Sequence, residues 1–259
     1  MFNFFKKKQI LATPKSSKKQ EEDFNDATSI AKYFHIKTGI TFDTQMSILN
    51  SKTSSFCKKR NIPSFKVLLE NIKTDIELEQ ELINHLTTNE SYFYREPKQI
   101  MNLVEHVQTI NSQVSILCAP SATGEEPYSL AIALLEAGVS VSRFHILGID
   151  INSDAIQKSQ EAVYNQRSLR NLSPEVISKY FISDNENYTL KDSVKSSVSF
   201  KVLNLFDDSF QNIGKFDFVF SRNMLIYFDK ETKIKAKEIL ESMRKTTTYN
   251  VFFGHADLF

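Results

Sequence analysis

Three places along the chain carry side chains suited to holding a small charged ligand. The first is Ala119-Pro120-Ser121-Ala122-Thr123-Gly124-Glu125-Glu126-Pro127-Tyr128-Ser129. Its only glycine is Gly124, whereas a dinucleotide fingerprint needs three so that a pyrophosphate can approach the backbone. No Gly-Lys-Ser/Thr follows, so it is not a phosphate-cradling loop either. Glu125 and Glu126 instead open the next helix. Two carboxylates there repel phosphate and favour a cation such as an amine or a sulfonium; acids in a first helical turn also serve simply to complement the helix dipole. The second place is Asp150, where an acid at a strand end can accept both hydroxyls of an unphosphorylated ribose or act as a plain turn residue. The third is Asn204, whose amide offers both a donor and an acceptor to an adenine edge. It gains weight only by sharing a rim with the other two. Together the three describe a nucleoside cofactor with a positively charged, phosphate-free appendage. S-adenosylmethionine fits that description; NAD and ATP do not.

Other chemistries find little support. His35, His85, His106, His145 and His255 form no HxxxH or Cys/His cluster, so no metal site is expected. The two cysteines, Cys57 and Cys118, cannot build a disulfide framework, which fits a reducing, cytoplasmic setting. Cys118 lies within an apolar run, where a small core residue is expected rather than a nucleophile.

The elements that position these residues follow from periodicity. Val114 to Ala119 reads as a buried strand, Glu125 to Ala137 as a helix stopped by Gly138, and Phe144 to Ile149 as a second strand. Ser153 or Asp154 caps a helix reaching Val163, Phe200 to Leu205 gives a third strand, and Phe216 to Phe220 a fourth. A lysine-rich helix capped by Asp229 and a fifth strand, Val251 to Gly254, complete the pattern. Strands alternating with helices imply an α/β fold with a parallel, doubly wound sheet, which binds ligands at the carboxyl ends of its strands. Residues 166–198 interrupt the rhythm and read as a small antiparallel insert with strand fragments at Tyr188-Thr189-Leu190 and Val194, or else as a surface loop with one helix over 174–181. Upstream, residues 23–86 read as a small all-helical domain. Its first helix stops at Gly39, two more fall around 44–60 and 64–71, and Leu78, Leu82 and Leu86 share a face of a fourth.

Charge is distributed unevenly. Residues 1–60 hold 12 Lys/Arg against 5 Asp/Glu, and residues 61–259 hold 20 against 26. A basic front on an acidic body points to an acidic partner. The lysine-rich residues 1–22 are expected to be a flexible tail. With no aromatic interleaving after Phe5, no nucleic-acid role is expected, and no apolar run is long enough for a membrane span.

The stretches Thr87-Thr88-Asn89-Glu90-Ser91-Tyr92-Phe93-Tyr94-Arg95-Glu96, Ser121 to Ser129, Asn171-Leu172-Ser173-Pro174, Phe216 to Asp229 and Phe253-Gly254-His255 together resemble the chemotaxis receptor methyltransferases, the CheR family. The resemblance runs from about residue 25 to the end. It implies a helical domain (residues 23–86) ahead of a Rossmann-like S-adenosylmethionine-binding domain (residues 87–259) that carries the insert. It also implies methyl transfer to glutamate side chains on the cytoplasmic helices of chemoreceptors. By position, Asn89, Ser91, Arg95, Glu125, Glu126, Asp150, Asn204, Leu205, Asn223 and Met224 should surround the cofactor, and Arg95 and Tyr227 match the catalytic positions. Taken without the resemblance, Arg95 reads as a surface ion pair and Tyr227 as a half-buried aromatic. A basic helix with Lys52, Lys58, Lys59 and Arg60 should face the receptor.

Three departures carry expectations of their own. The family usually continues past the Gly-His motif with two more strands, so the final antiparallel hairpin is expected to be missing. Lys245-Thr246-Thr247-Thr248-Tyr249 replaces the family's Pro-Asp-Gly turn. Both leave open a regulatory, cofactor-binding scaffold with reduced turnover, against which the intact Arg95 and Tyr227 argue. Finally, Ile182 to Asp192 contains no glycine, where members that tether to a receptor's C-terminal pentapeptide have a glycine-rich loop. No such tether is expected here, and the chain is expected to act as a monomer.

Overall fold

The computed structural model describes residues 23–257. The expected flexible tail, residues 1–22, lies outside them. Four helices come first: α1 (Thr28–Thr38), α2 (Met46–Lys59), α3 (Phe65–Ile72) and α4 (Ile76–Leu86). Ser64 caps α3 and Asp75 caps α4, each accepting the backbone N–H three residues on. Their apolar faces meet in one cluster built on Ile30, Phe34, Leu49, Phe56, Leu68 and Leu82. Gly39 ends α1 with φ 75°, and a Cβ there would lie 2.4 Å from the Phe206 ring. Only glycine allows both the left-handed turn and that approach.

A βα alternation follows, opened by α5 (Pro97–Thr109). The sheet begins with β1 (Val114–Cys118) and β2 (Phe144–Asp150); α6 (Glu125–Glu136) and α7 (Ser153–Glu161) are the first crossovers. The insert comprises β3 (Val163–Asn165), α8 (Pro174–Tyr180), β4 (Phe181–Asp184), β5 (Asn187–Leu190) and α9 (Asp192–Lys195). The chain then returns through β6 (Val198–Val202), α10 (Asp208–Gln211), β7 (Phe218–Ser221), α11 (Lys230–Ser242) and β8 (Phe252–Phe253). Strand order is β6-β2-β1-β7-β8, every pairing is parallel, and the direction of winding reverses between β1 and β7. Alternate residues of β1 face opposite ways. Ile116 and Cys118 join the core under α5 and α6, while Leu117 joins the one under α11. The antiparallel sheet has the order β3-β5-β4.

Several expected boundaries are corrected. The cap of α7 is Asn152, whose side chain accepts the Ala155 N–H at 2.9 Å, rather than Ser153 or Asp154. That helix stops at Glu161 because Ala162 turns left-handed at φ 54°, which frees Val163 to begin the insert earlier than residue 166. Val194 belongs to a helical turn and packs in the core instead of forming a strand fragment. The third strand is Val198–Val202, not Phe200–Leu205; the Leu203 N–H bonds Asp150 O at 3.0 Å as the chain leaves the sheet, carrying Asn204 and Leu205 across the strand ends. In the turn without Pro-Asp-Gly, the Arg244 guanidinium donates to Tyr249 O at 2.7 Å and the Tyr249 ring packs on Phe218.

Candidate active site

A cavity of about 510 Å³ opens at the carboxyl ends of β1, β2 and β7 and is closed on one side by α2 and by the segment after α1. That is where a doubly wound sheet binds ligands. Its floor is the turn after β1. Ser121 N–H donates to Ile149 O at 2.7 Å, and Ala122 N–H donates to Asp150 Oδ2 at 2.9 Å. Gly124 sits at φ 93°, and a Cβ on it would lie 2.8 Å from Ser159 Cβ, so the single glycine of this loop serves its packing on α7.

Asp150 is buried, and its other oxygen accepts the Asn152 N–H at 2.9 Å. Burial pushes its pKa up to about 6, although the backbone donors pull it down. Donors on a bound ribose favour the ionised carboxylate. In the free protein that form is lost as pH falls through about 6. Affinity for S-adenosylhomocysteine is therefore expected to be flat above pH 7 and to weaken by up to about tenfold per pH unit below 6. Calorimetry across pH 5–8 checks this; the Asp150→Ala variant should bind weakly with no such slope. Folding runs the opposite way for this group. The stability contributed by protonated Asp150 is complete below its ordinary value of 3.8 and is lost as pH rises through about 6.

The paired glutamates part company. Glu126 lines the cavity directly, and Glu125 lies beside Ser91, which also lines it. Glu125 accepts the Thr123 hydroxyl at 2.7 Å and sits in the core, where burial raises its pKa. Its carboxylate is thus already engaged by hydroxyl donors. Nor does Glu126 act as a free anion: it forms a buried ion pair with Arg222, at the end of β7, with both side chains nearly inaccessible. Burial raises the Glu126 pKa, and the guanidinium opposes the rise. Its Oε1 is left without a partner at the cavity wall.

Arg222 also reaches the catalytic candidate. Its Nη1 donates to Arg95 O at 2.7 Å. On either side of Arg95, Tyr94 and Glu96 hold φ of 54° and 51°, a left-handed backbone that non-glycine residues seldom adopt. The surroundings over-determine it. Tyr94 N–H bonds Ser129 Oγ at 2.9 Å, and Phe93 is buried edge-on against Tyr164 and Phe181. Arg95 thus projects from a clamped segment into the cavity, beside Asn89 and Ser91.

Across the cavity lie Asn223, Met224 and Tyr227. Asp257, fully buried, gathers this turn by accepting the backbone N–H groups of Asn223 and Leu225, at 2.5 and 2.8 Å, and of Gly254 at 3.2 Å. A Cβ at Gly254 would sit 2.9 Å from Asn223 N, so the Gly-His motif supports the turn. His255 itself is exposed. Burial raises the Tyr227 pKa, which keeps its hydroxyl protonated at neutral pH. From the helical side, Thr41 N–H donates to Tyr227 O at 2.9 Å.

Asn204 and Leu205 also line the cavity. The Asn204 amide is engaged within the protein: it donates to Lys37 O at 2.6 Å and accepts the Phe206 N–H at 3.1 Å. Of the basic group on α2, Lys52 lines the cavity, while Lys58, Lys59 and Arg60 lie farther along the helix. Arg60 is paired with Glu81 at 2.6 Å and stacked on Phe56, so its charge is already answered.

Comparison with known proteins places this geometry. The family model described as "CheR methyltransferase, SAM binding domain" matches residues 89–259. The chain belongs to the CheR methyltransferase family. A chemotaxis protein methyltransferase of Campylobacter jejuni (strain 81-176) is 35% identical over 222 residues, covering 85% of this chain and 84% of the relative. Chemotaxis protein methyltransferase 2 of Vibrio cholerae is 31% identical over 240 residues, covering 87% and 82%. A chemotaxis protein methyltransferase of Borreliella burgdorferi is 29% identical over 250 residues, covering 90% and 88%.

The residues present fit the cofactor of a CheR methyltransferase. Ser121 Oγ, Glu126 Oε1 and Asn223 Oδ1 are buried without partners in the walls of the cavity. Leaving such atoms unsatisfied is costly, and a ligand with amine and hydroxyl donors supplies what they lack. Asp150 has the chemistry to accept ribose hydroxyls, and Arg95 that to hold a carboxylate. Arg222 and Asp257 are the supports that sequence reasoning left unassigned. The signal for Arg222 was a charged residue two positions beyond the apolar Phe218-Val219-Phe220, which, if buried, demands a counter-charge.

Proposed function

We propose that this chain methylates glutamate side chains on the cytoplasmic helices of chemoreceptors. S-adenosylmethionine-dependent methyl transfer for chemotaxis follows from the family and from its relatives; the glutamate acceptor and the residue roles are the present reading. The observation that carries it is the convergence of Arg95 and Tyr227 on one cavity whose walls hold Asp150 and the unpartnered polar atoms.

When bound, S-adenosylmethionine supplies an electrophilic methyl group on a sulfonium. A glutamate carboxylate, with an ordinary pKa of about 4.3, is already ionised at neutral pH, so the protein need not supply a base. Tyr227, held protonated, donates its hydroxyl or offers its ring face to a cation. Arg95 grips a carboxylate through two parallel N–H groups. Asp150 and the turn after β1 fix the nucleoside end. The chain's contribution is thus placement and water exclusion, and well-oriented placement alone is worth up to about 7–11 kcal/mol. The reading requires the cytoplasm, where the methylation helices lie.

The direct test incubates the protein with methyl-labelled S-adenosylmethionine and receptor-rich membranes. Base-labile label on receptor bands is the expected result. Label that stays with the protein, with none transferred, would instead describe a binding scaffold.

Two partner predictions follow. Lys58 and Lys59 are exposed on α2, and charges so placed steer an acidic partner in a salt-dependent way. Lys58→Glu with Lys59→Glu is expected to lower receptor methylation several-fold at low salt without changing calorimetric affinity for S-adenosylhomocysteine. The second concerns the insert. β4 and β5 are joined across the pair Asp184–Asn187, so Asn185 and Glu186 form the entire connection. Asn185, at φ 55°, takes the left-handed position that a glycine would hold. A two-residue turn leaves no loop to fold over an added peptide strand. Titration with a receptor C-terminal pentapeptide is expected to give no micromolar binding; binding that maps to residues 180–198 would overturn this.

A further inference from the structure

A group of arginines lies at the edge of the cavity. Arg170 lies over the Tyr92 ring at 3.5 Å, and Arg95 approaches the same ring at 5.5 Å. Arg167 pairs with Glu90 at 3.1 Å, and both side chains are largely exposed. Glu90 and Arg95 line the cavity, and Arg167 and Arg170 adjoin it through Glu90 and the Tyr92 ring. One carboxylate answers three positive charges, and among the described residues Arg170 has no carboxylate partner. Its Nη1 donates to Arg167 O at 2.7 Å, which fixes the loop in place. An exposed pair such as Arg167–Glu90 contributes little and exchanges readily for another carboxylate. On α2, by contrast, Arg60 is already committed to Glu81.

We infer that Arg167 and Arg170 form a second docking point for the substrate helix, receiving an acidic side chain one to two turns from the glutamate being methylated. This rests on the receptor-helix reading above and names what the substrate must carry beside its target. Residues three or four apart on a helix face lie about 5–6 Å from one another. A helix that presents one glutamate to the cavity beside Arg95 therefore brings a second acid toward the guanidinium stacked on the same Tyr92 ring. Arginine suits the task because its planar fork matches a carboxylate.

The test compares initial rates on a purified receptor cytoplasmic fragment at low salt for the wild type, for R167Q with R170Q, and for R167K with R170K. In the glutamine pair the KM for the fragment should rise about fivefold to tenfold and kcat should stay within about twofold. Its S-adenosylhomocysteine affinity should be unchanged and its salt dependence shallower. The lysine pair should retain most of the wild-type KM, since charge survives. Neutralising the neighbouring acid on the fragment should raise KM for the wild type and not for the glutamine pair. Unchanged KM and salt dependence in the glutamine pair overturn the inference, as does a parallel loss of cofactor affinity, which marks a merely structural role. A wild-type protein that transfers no label to the fragment overturns the substrate reading itself.

Discussion

Arg95→Ala is expected to lower kcat/KM for receptor methylation by about 10²–10³-fold while the protein stays folded. The size follows from two losses. A charge-assisted grip on a carboxylate is worth about 1.5–3 kcal/mol. Misplacing a reactant by an ångström costs up to about a further hundredfold. The fold should survive because the Arg95 side chain is only partly buried and its hydrogen bond to Glu90 O, at 3.4 Å, is long. The strained backbone around it is held by other groups: the Ser129 hydroxyl under Tyr94 and the Arg222 guanidinium on Arg95 O. Arg95→Lys keeps the charge and loses the fork, so it should recover only part of the rate. Labelled methyl transfer gives the rate, and circular dichroism with a urea titration verifies the fold. Wild-type turnover by the alanine variant would remove Arg95 from catalysis.

How far the sequence revealed this site depended on whether local pattern or tertiary geometry decided each residue. Apolar runs located β1, β2 and β7 to within a residue or two, because buried parallel strands admit little else. The Gly39 stop and the Asp229 cap were legible for the same local reason, each satisfying a helix end with its own residue. The Glu125-Glu126 pair was not. Successive residues on a helix point about 100° apart, so the two acids meet different partners, Thr123 and Arg222, and which partners they meet depends on where α6 sits. At Asn152-Ser153-Asp154 three good capping residues compete, and composition cannot rank them. Asn152 wins because its amide also donates to Asn84 O and Thr87 Oγ1, contacts from the helical region that no local pattern contains. The third strand ends earlier than its apolar residues suggest, because Leu203 and Leu205 prolong the apolar run beyond Val202, one residue out of phase with Phe200 and Val202. In the fold they leave the sheet and face the cavity and the neighbouring core.

Arg222→Met is expected to destabilise the protein by about 3–5 kcal/mol, the usual cost of breaking a buried ion pair from one side. Only 2% of the Arg222 side chain is exposed, and 10% of the Glu126 side chain. Without the guanidinium Glu126 faces burial alone and Arg95 O loses its donor. The deficit carries a pH signature. Burial already raises the Glu126 pKa and Arg222 holds it down, so the variant's folded-state value lies higher still. A carboxyl whose folded pKa exceeds its unfolded one contributes stability that is complete below the ordinary value of 4.5 and is lost as pH rises through the folded value. The gap between variant and wild type should therefore widen from pH 5 toward pH 8 in urea unfolding. Adding Glu126→Gln removes the stranded charge and should restore a large part of the loss at pH 8, although not the bond to Arg95 O. Methyl transfer should fall even where the variant is folded, because Arg95 has lost the contact that fixes its carbonyl. A deficit below about 1 kcal/mol, the range of an exposed pair, or one that does not vary with pH, would mean that Glu126 is neutralised by something other than Arg222.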